Sequence, residues 1–185
     1  MGDIYFAKAH AIRRRAVPTW GVFPDKSQQG GGPLIDIGTH ALDLTLWLMN
    51  NHKPASVSGS VFYKLGNLPK AVEGNAFGSW DPKTYEVEDS AFGLIKMENG
   101  ATIFLEASWA LNVIDSREAA TTLCGTLGGA EIRSGMSYEK EELIYNSSRN
   151  GMLTEERASA GGALNSHGPS HQGPFRCCAS ALLPP

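Results

Sequence analysis

Helical periodicity is confined to one long stretch of this sequence, and this restricts the folds that the chain can adopt. Residues 34–49 carry apolar side chains every three to four positions. Pro33 suits the first turn of a helix, because its missing N–H costs nothing there, and Pro54 follows the point where the pattern stops. The sequence therefore predicts one buried helix of about four turns.

The rest of the chain has the spacing of short β-strands. Asn99-Gly100 separates two β-prone runs, 91–97 and 101–107, and both residues accept the positive φ of a tight hairpin. Further strands are predicted at residues 4–9, 57–63, 119–123, 130–133 and 142–145. One helix among such strands predicts an α+β fold, a largely antiparallel open-faced sheet with helices covering one face.

Charge and composition exclude several classes of protein. The chain has 185 residues, with 16 basic and 19 acidic side chains, so its net charge of −3 offers no footprint for nucleic acid or an anionic membrane. No run of apolar residues is long enough to span a bilayer, and the N-terminus lacks the pattern of a signal peptide. Three cysteines, two of them adjacent, form no disulfide framework, which predicts a cytoplasmic protein.

The composition changes near the C-terminus and predicts a domain boundary. In residues 158–185, 17 side chains are Gly, Ala, Ser or Pro and none is acidic. We expect a folded domain over 1–157 and a tail over 158–185 that is disordered or non-native. The tail's His167, His171, Cys177 and Cys178 lack a paired zinc-binding spacing, so no metal site is predicted.

The predicted helix carries a stripe of short polar side chains. Asp36, His40 and Asp43 stand at i, i+4 and i+7 and share one face, which Trp47 continues. A carboxylate one turn from an imidazole orients the ring and stabilises its cation, which suits proton exchange with a substrate hydroxyl. The alternatives are that Asp36 caps the helix, that His40 is a core histidine, or that the pair binds a divalent metal. If the pair lines a cavity, substituting either residue should change stability little.

Four further side chains are candidates for binding a substrate. Lys8, Arg13 and Arg14 could contact a hydroxyl or a phosphate, although a solvated strand end would also explain them. Trp20 lies in a long loop that precedes the helix, and it could line the substrate pocket or anchor that loop. Gly38, inside the helical segment, would let another backbone or a ligand approach closely.

Residues 30–43, Gly-Gly-Gly-Pro-Leu-Ile-Asp-Ile-Gly-Thr-His-Ala-Leu-Asp, followed by Trp47-Leu48-Met49, resemble a known signature. It is similar to the substrate-domain motif of the glucose–fructose oxidoreductase / inositol dehydrogenase / MocA family of NAD(P)-dependent oxidoreductases. The resemblance extends over about residues 2–146 and includes Val87-Glu88-Asp89 and Ser108-Trp109. It implies that His40 is the proton-transfer residue and Asp36 its partner, with a structural or substrate-binding role for Asp43.

The resemblance implies hydride transfer between NAD or NADP and a hydroxyl-bearing carbon of a sugar or cyclitol. It also implies a homo-oligomer formed through the open sheet face. However, no Gly-x-Gly-x-x-Gly follows a predicted strand and no Glu-Lys-Pro occurs, so we expect no cofactor-binding residues and no cofactor bound by this chain alone. The chain is then the substrate-binding half of such an enzyme. The alternative is a non-catalytic, truncated module that oligomerises or binds a polyol.

Overall fold

The computed structural model describes residues 1–159, which form one mixed sheet with a single long helical segment packed on it. The strands are β1 (Ile4–Ile12), β2 (Pro54–Phe62), β3 (Ser90–Met97), β4 (Thr102–Ser108), β5 (Arg117–Gly125), β6 (Gly128–Arg133), β7 (Glu142–Arg149) and β8 (Met152–Ser159). The helical elements are α1 (Lys26–Gln29), a π-helical turn (Leu34–Gly38), α2 (Thr39–Met49) and 3₁₀ turns at Pro69–Ala71 and Pro82–Thr84. Within these residues, no helix is long and apolar enough to cross a membrane.

The eight strands follow the order β2-β3-β4-β1-β5-β6-β7-β8. β1 and β4 pair in parallel at the centre, and every other neighbouring pair is antiparallel. The hairpin predicted around Asn99-Gly100 is confirmed as β3 and β4. The α+β class with a mostly antiparallel sheet is therefore confirmed in its coarse form.

Two features of the predicted fold need correction. The expected set of several helices that cover one sheet face is not found among residues 1–159. α1 has four residues and buries none of them, so the cover consists of α2 and the π-helical turn that precedes it. The strand β8 was not predicted, since its residues do not alternate between apolar and polar. It pairs with β7 across Asn150 and Gly151, whose φ values of 54° and 77° are those that an Asn-Gly turn provides.

The boundary predicted after residue 157 falls inside a strand, because Ala158 and Ser159 belong to β8. The remainder of the predicted tail, with its histidines and cysteine pair, lies outside the described residues.

The helical segment packs closely on the centre of the sheet because the contact side chains are small. Ala7, Ala9 and Ala11 of β1 have no exposed surface. A Cβ on Gly38 would lie 3.0 Å from the Cβ of Ala107 on β4, so the glycine serves the approach of the π-helical turn to the sheet and not that of a ligand. Gly38 was predicted to allow the close approach of either another backbone or a ligand, and the structure shows the close approach of the sheet at Ala107.

The loop between β2 and β3 is organised by one buried carboxylate. Oδ2 of Asp89, which is 1% exposed, accepts hydrogen bonds from the backbone N–H groups of Lys64, Leu65 and Gly66 at 2.5, 2.6 and 2.9 Å. The carbonyl of Gly66 in turn accepts from Nε1 of Trp80 at 2.7 Å. These bonds hold an aromatic cluster of Trp80, Tyr85 and Trp109 beside the helical segment.

The hydroxyl of Tyr85 offers a test of this packing, because it is buried without a hydrogen-bond partner, and burial raises the pKa of the group. Tyr85→Phe removes a desolvated, unpaired hydroxyl, so we expect unchanged stability or a gain of up to about 1 kcal/mol. Trp80→Phe leaves the Gly66 carbonyl unpaired and should cost about 1–3 kcal/mol. Urea unfolding of the two variants measures the contrast, and equal losses would contradict this account of Tyr85.

Candidate functional site

The polar stripe of the helical segment forms one wall of a cleft of about 1360 Å³. Asp36, His40, Asp43 and Trp47 all line it, so the structure brings together the stripe that the sequence predicts. The opposite wall consists of Ser134 to Met136 and Tyr138 to Glu141 from the connection between β6 and β7, and Arg13 and Glu118 also line the cleft.

Asp36 is held in place by the indole of a fully buried tryptophan. Oδ2 of Asp36 accepts a hydrogen bond from Nε1 of Trp109 at 2.8 Å, and Trp109 is 0% exposed. The ring of Trp109 packs edge-on against Phe23 and Tyr85. The helix-cap alternative for Asp36 does not hold, because the backbone N–H of Leu34 at the segment's start donates to Glu88 Oε1 at 3.3 Å.

His40 is an exposed side chain on the cleft wall, which excludes the alternative of a buried core histidine. Neither ring nitrogen has a hydrogen-bond partner among residues 1–159, and none joins His40 to Asp36. Asp36 belongs to the π-helical turn and His40 to α2, and both side chains line the cleft without bonding to each other. The imidazole is thus free to contact a bound molecule.

Lys8, Arg14 and Trp20 do not line this cleft. Lys8 alternates along β1 with the alanines that face α2, and it therefore points to the opposite face of the sheet. Arg14 is exposed, and its backbone N–H donates to the hydroxyl of Ser116 at 3.0 Å. Trp20 is 53% exposed and packs against Phe23 and Phe77, which agrees with the anchoring of its loop.

Of the two arginines that the sequence offers as substrate contacts, Arg13 lines the cleft, where it pairs with Glu118 at 2.7 Å and donates to the carbonyl of Ala16 at 3.2 Å. The cleft also contains residues that the sequence did not single out for it. The acidic run at 139–142 is typical of a solvated loop, and nothing in the sequence indicates that it faces α2. Trp109, which the sequence analysis names only as part of the family resemblance, is the hydrogen-bond donor that fixes Asp36.

The described residues do not fit a dinucleotide cofactor. Its pyrophosphate is usually held by free backbone N–H groups at a helix N-terminus. The helical segment here begins with the N–H of Leu34 already bonded to the buried carboxyl of Glu88, and a carboxylate in that place would repel a phosphate. In the same part of the chain, no three His, Cys, Asp or Glu side chains lie close enough to hold a metal ion.

The Asp36–Trp109 bond changes what substitutions in the stripe should do to stability. Asp36→Ala leaves a buried indole N–H unpaired and should cost about 1–3 kcal/mol, whereas Asp36→Asn keeps an acceptor oxygen and should cost less. His40→Ala is the matched control, with an expected change within about 0.5 kcal/mol because its side chain is exposed and unbonded. Denaturant unfolding measures all three; equal losses for the two alanine variants would refute the role of the bond.

Comparisons with known proteins support one family. The model of the GFO/IDH/MocA C-terminal domain matches residues 1–131. The D-glucoside 3-dehydrogenase of Escherichia coli (strain K12) is 44% identical over 132 residues, which are 71% of this chain and 37% of that protein. The chain therefore spans well under half the length of this relative.

Solved structures share the fold at lower identity. Levoglucosan dehydrogenase, in complex with NADH and levoglucosan, superposes with a TM-score of 0.66 at 18% identity, covering 98% of this chain and 48% of that one. Aldose–aldose oxidoreductase from Caulobacter crescentus, complexed with glycerol, gives a TM-score of 0.60 at 18% identity, covering 98% and 45%. The motif at residues 30–43, the sheet and the extent of the family match lead to one assignment: the chain belongs to the GFO/IDH/MocA family and corresponds to its C-terminal domain.

Proposed function

We propose that this chain is the substrate-binding half of an NAD(P)-dependent oxidoreductase that acts on a hydroxyl of a sugar or cyclitol. The observation that carries the proposal is His40, an exposed imidazole with unbonded ring nitrogens on the wall of a cleft that also contains the fixed carboxylate of Asp36. The dehydrogenase activity of the Escherichia coli relative on D-glucosides supports the class of substrate.

In this proposal, His40 handles the proton of the reacting hydroxyl. A neutral imidazole accepts that proton when the alcohol is oxidised and returns it when the carbonyl is reduced. The carboxylate of Asp36 lies on the same wall, without a direct hydrogen bond to the imidazole. Asp43 and Trp47 complete the wall, where they would contact the sugar's other hydroxyls and its apolar face. Residues outside this sequence would hold the dinucleotide, since the described residues do not fit it.

We further propose that the sheet face opposite α2 packs against a second copy of the chain. On that face Phe6 and Phe104 pack with ring centroids 5.2 Å apart, and Phe62 and Phe92 pack at 5.9 Å. Phe104 is 43% exposed and Phe62 is 38% exposed. Aromatic side chains left in water across neighbouring strands are typical of a protein interface.

A histidine–glutamate hydrogen bond borders this aromatic surface. Nδ1 of His10 lies 2.7 Å from Oε2 of Glu106, and His10 is 4% exposed. The hydrogen bond from His10 holds the pKa of Glu106 below its usual range. The interface would therefore combine an aromatic half with a charged half.

Turnover in a reconstituted enzyme tests the role of His40. The full chain is mixed with a separately expressed dinucleotide-binding half of a family member, and nicotinamide reduction is followed with glucosides. His40→Ala should lower turnover by about 10²–10⁴-fold. His52→Ala is the matched control, because His52 is exposed and lies outside the cleft, and its turnover should be unchanged.

Two results of this assay would contradict the proposal. Equal turnover of the His40→Ala and His52→Ala variants would remove the proton-transfer role. Binding of a glucoside by the chain, seen as a shift of the Trp47 indole resonance, with no turnover in any mixture, would instead favour the non-catalytic, polyol-binding module.

Sedimentation at tens of micromolar tests the interface. We expect the wild-type chain to self-associate and Phe104→Lys to shift it to monomer, since a charge would be buried against the partner's aromatic rings. Ile114→Lys, at a position that is 85% exposed outside the strands, is the control and should associate like the wild type. A monomeric wild-type chain would refute the proposed oligomer.

A further inference from the structure

The cleft carries an excess of negative side chains. Its lining contains the carboxylates of Asp36, Asp43, Glu118, Glu139 and Glu141, against the cationic side chains of Arg13 and Lys140. Two walls contribute, since Asp36 and Asp43 come from the helical segment and Glu139 and Glu141 from the connection between β6 and β7. Carboxylates from two separate segments of the chain therefore line the cleft.

The hydrogen bonds in the cleft leave most of this charge uncompensated. Arg13 and Glu118 neutralise each other through their bond of 2.7 Å. Asp36 accepts from an indole and Glu141 accepts from the hydroxyl of Ser134 at 3.1 Å, and neither donor carries a charge. Among residues 1–159, four carboxylates of the cleft lining then remain against the ammonium of Lys140, an excess of three negative charges.

Of the two cationic side chains that line the cleft, Arg13 is bonded to other groups of the protein through its terminal nitrogens, while its Nε is buried without a partner among the described residues. Its guanidinium donates to Glu118 and to the carbonyl of Ala16, and it lies 5.8 Å from the centre of the Phe77 ring. Its side chain is only 12% exposed. A phosphate would have to break the bond to Glu118 and leave that carboxylate unpaired.

We propose that this charge makes the cleft selective for uncharged glycosides and polyols and excludes sugar phosphates, nucleotide sugars and sugar acids. The inference rests on the proposed function and names its class of substrate. Hydroxyl groups donate hydrogen bonds to carboxylates, so an uncharged sugar gains from the same side chains that repel an anion. Glu139 and Glu141 are the specificity-determining residues, because they add charge without belonging to the stripe of His40.

The expected discrimination follows from the distances involved. A single negative charge held roughly 8 Å from one carboxylate in a water-like dielectric binds about twofold more weakly. Three uncompensated carboxylates then weaken the binding of an anion on the order of tenfold. Added salt should reduce the difference, because the cleft is open to solvent.

Quenching of tryptophan fluorescence measures the potential of the cleft without any sugar. Among the four tryptophans, Trp80 and Trp109 are 8% and 0% exposed, and Trp47 lines the cleft with 38% exposed, so Trp20→Phe leaves Trp47 as the accessible one. At constant ionic strength, iodide should quench Trp47 several-fold less than the cation caesium does, after both are normalised to their quenching of free indole.

In this Trp20→Phe background, Glu139→Gln/Glu141→Gln should raise the iodide quenching constant at least twofold. Glu73→Gln/Glu98→Gln removes the same charge at two exposed positions outside the cleft and should change nothing. Glu139→Gln alone, at an exposed position, replaces the double variant if loss of the Glu141–Ser134 bond impairs folding. Equal quenching by iodide and caesium would overturn the inference.

Sugar binding to the full chain separates this inference from the proposed function. The shift of the Trp47 indole resonance is titrated with methyl β-D-glucoside and with glucose 6-phosphate. We expect the glucoside to bind at least tenfold more tightly, and the double variant to narrow the ratio. Glucose 6-phosphate bound in the cleft as tightly as the glucoside would overturn the selectivity alone. If neither sugar binds, the proposed function fails and the assignment to glycosides falls with it.

Discussion

The site depends on how closely the helical segment approaches the centre of the sheet. Ala7, Ala9 and Ala11 present no bulk to it, and Gly38 brings the π-helical turn against Ala107. A larger side chain at these positions would push α2 away from β1, and with it the wall that carries Asp36 and His40. The small residues of the core thus set the position of the polar residues of the cleft.

The two candidate residues have different mechanical roles. Asp36 accepts a hydrogen bond from the buried Trp109, whose ring packs against Tyr85. The aromatic cluster to which both rings belong is held by the hydrogen bonds of Asp89 to the loop between β2 and β3. His40 has no hydrogen-bond partner within residues 1–159 and lies exposed on the cleft wall. A fixed carboxylate on the same cleft wall as an exposed imidazole suits a site in which the carboxylate provides a negative electrostatic potential and the imidazole transfers a proton.

Much of the fold and part of the site follow from the sequence, because they depend on local spacing. Helical periodicity over 34–49 and the Asn-Gly turn at 99–100 predict α2 and the β3–β4 hairpin, and the i, i+4, i+7 spacing places Asp36, His40 and Asp43 on one wall. The turn at Asn150-Gly151 has the same residue types, but the strand that follows it lacks the alternation of apolar and polar residues that would predict β8. The family motif is also local, since it lies within residues 30–43.

The sequence alone determined the long helical segment, the β3–β4 hairpin, the polar stripe and the family, because each depends on residues close together in the chain. Only the tertiary structure decided which groups meet. It paired Asp36 with Trp109, 73 residues away, and Arg13 with Glu118, 105 residues away. It also placed the acidic connection between β6 and β7 opposite α2. Such contacts depend on strand order and register, which bring distant segments together and which no local spacing encodes.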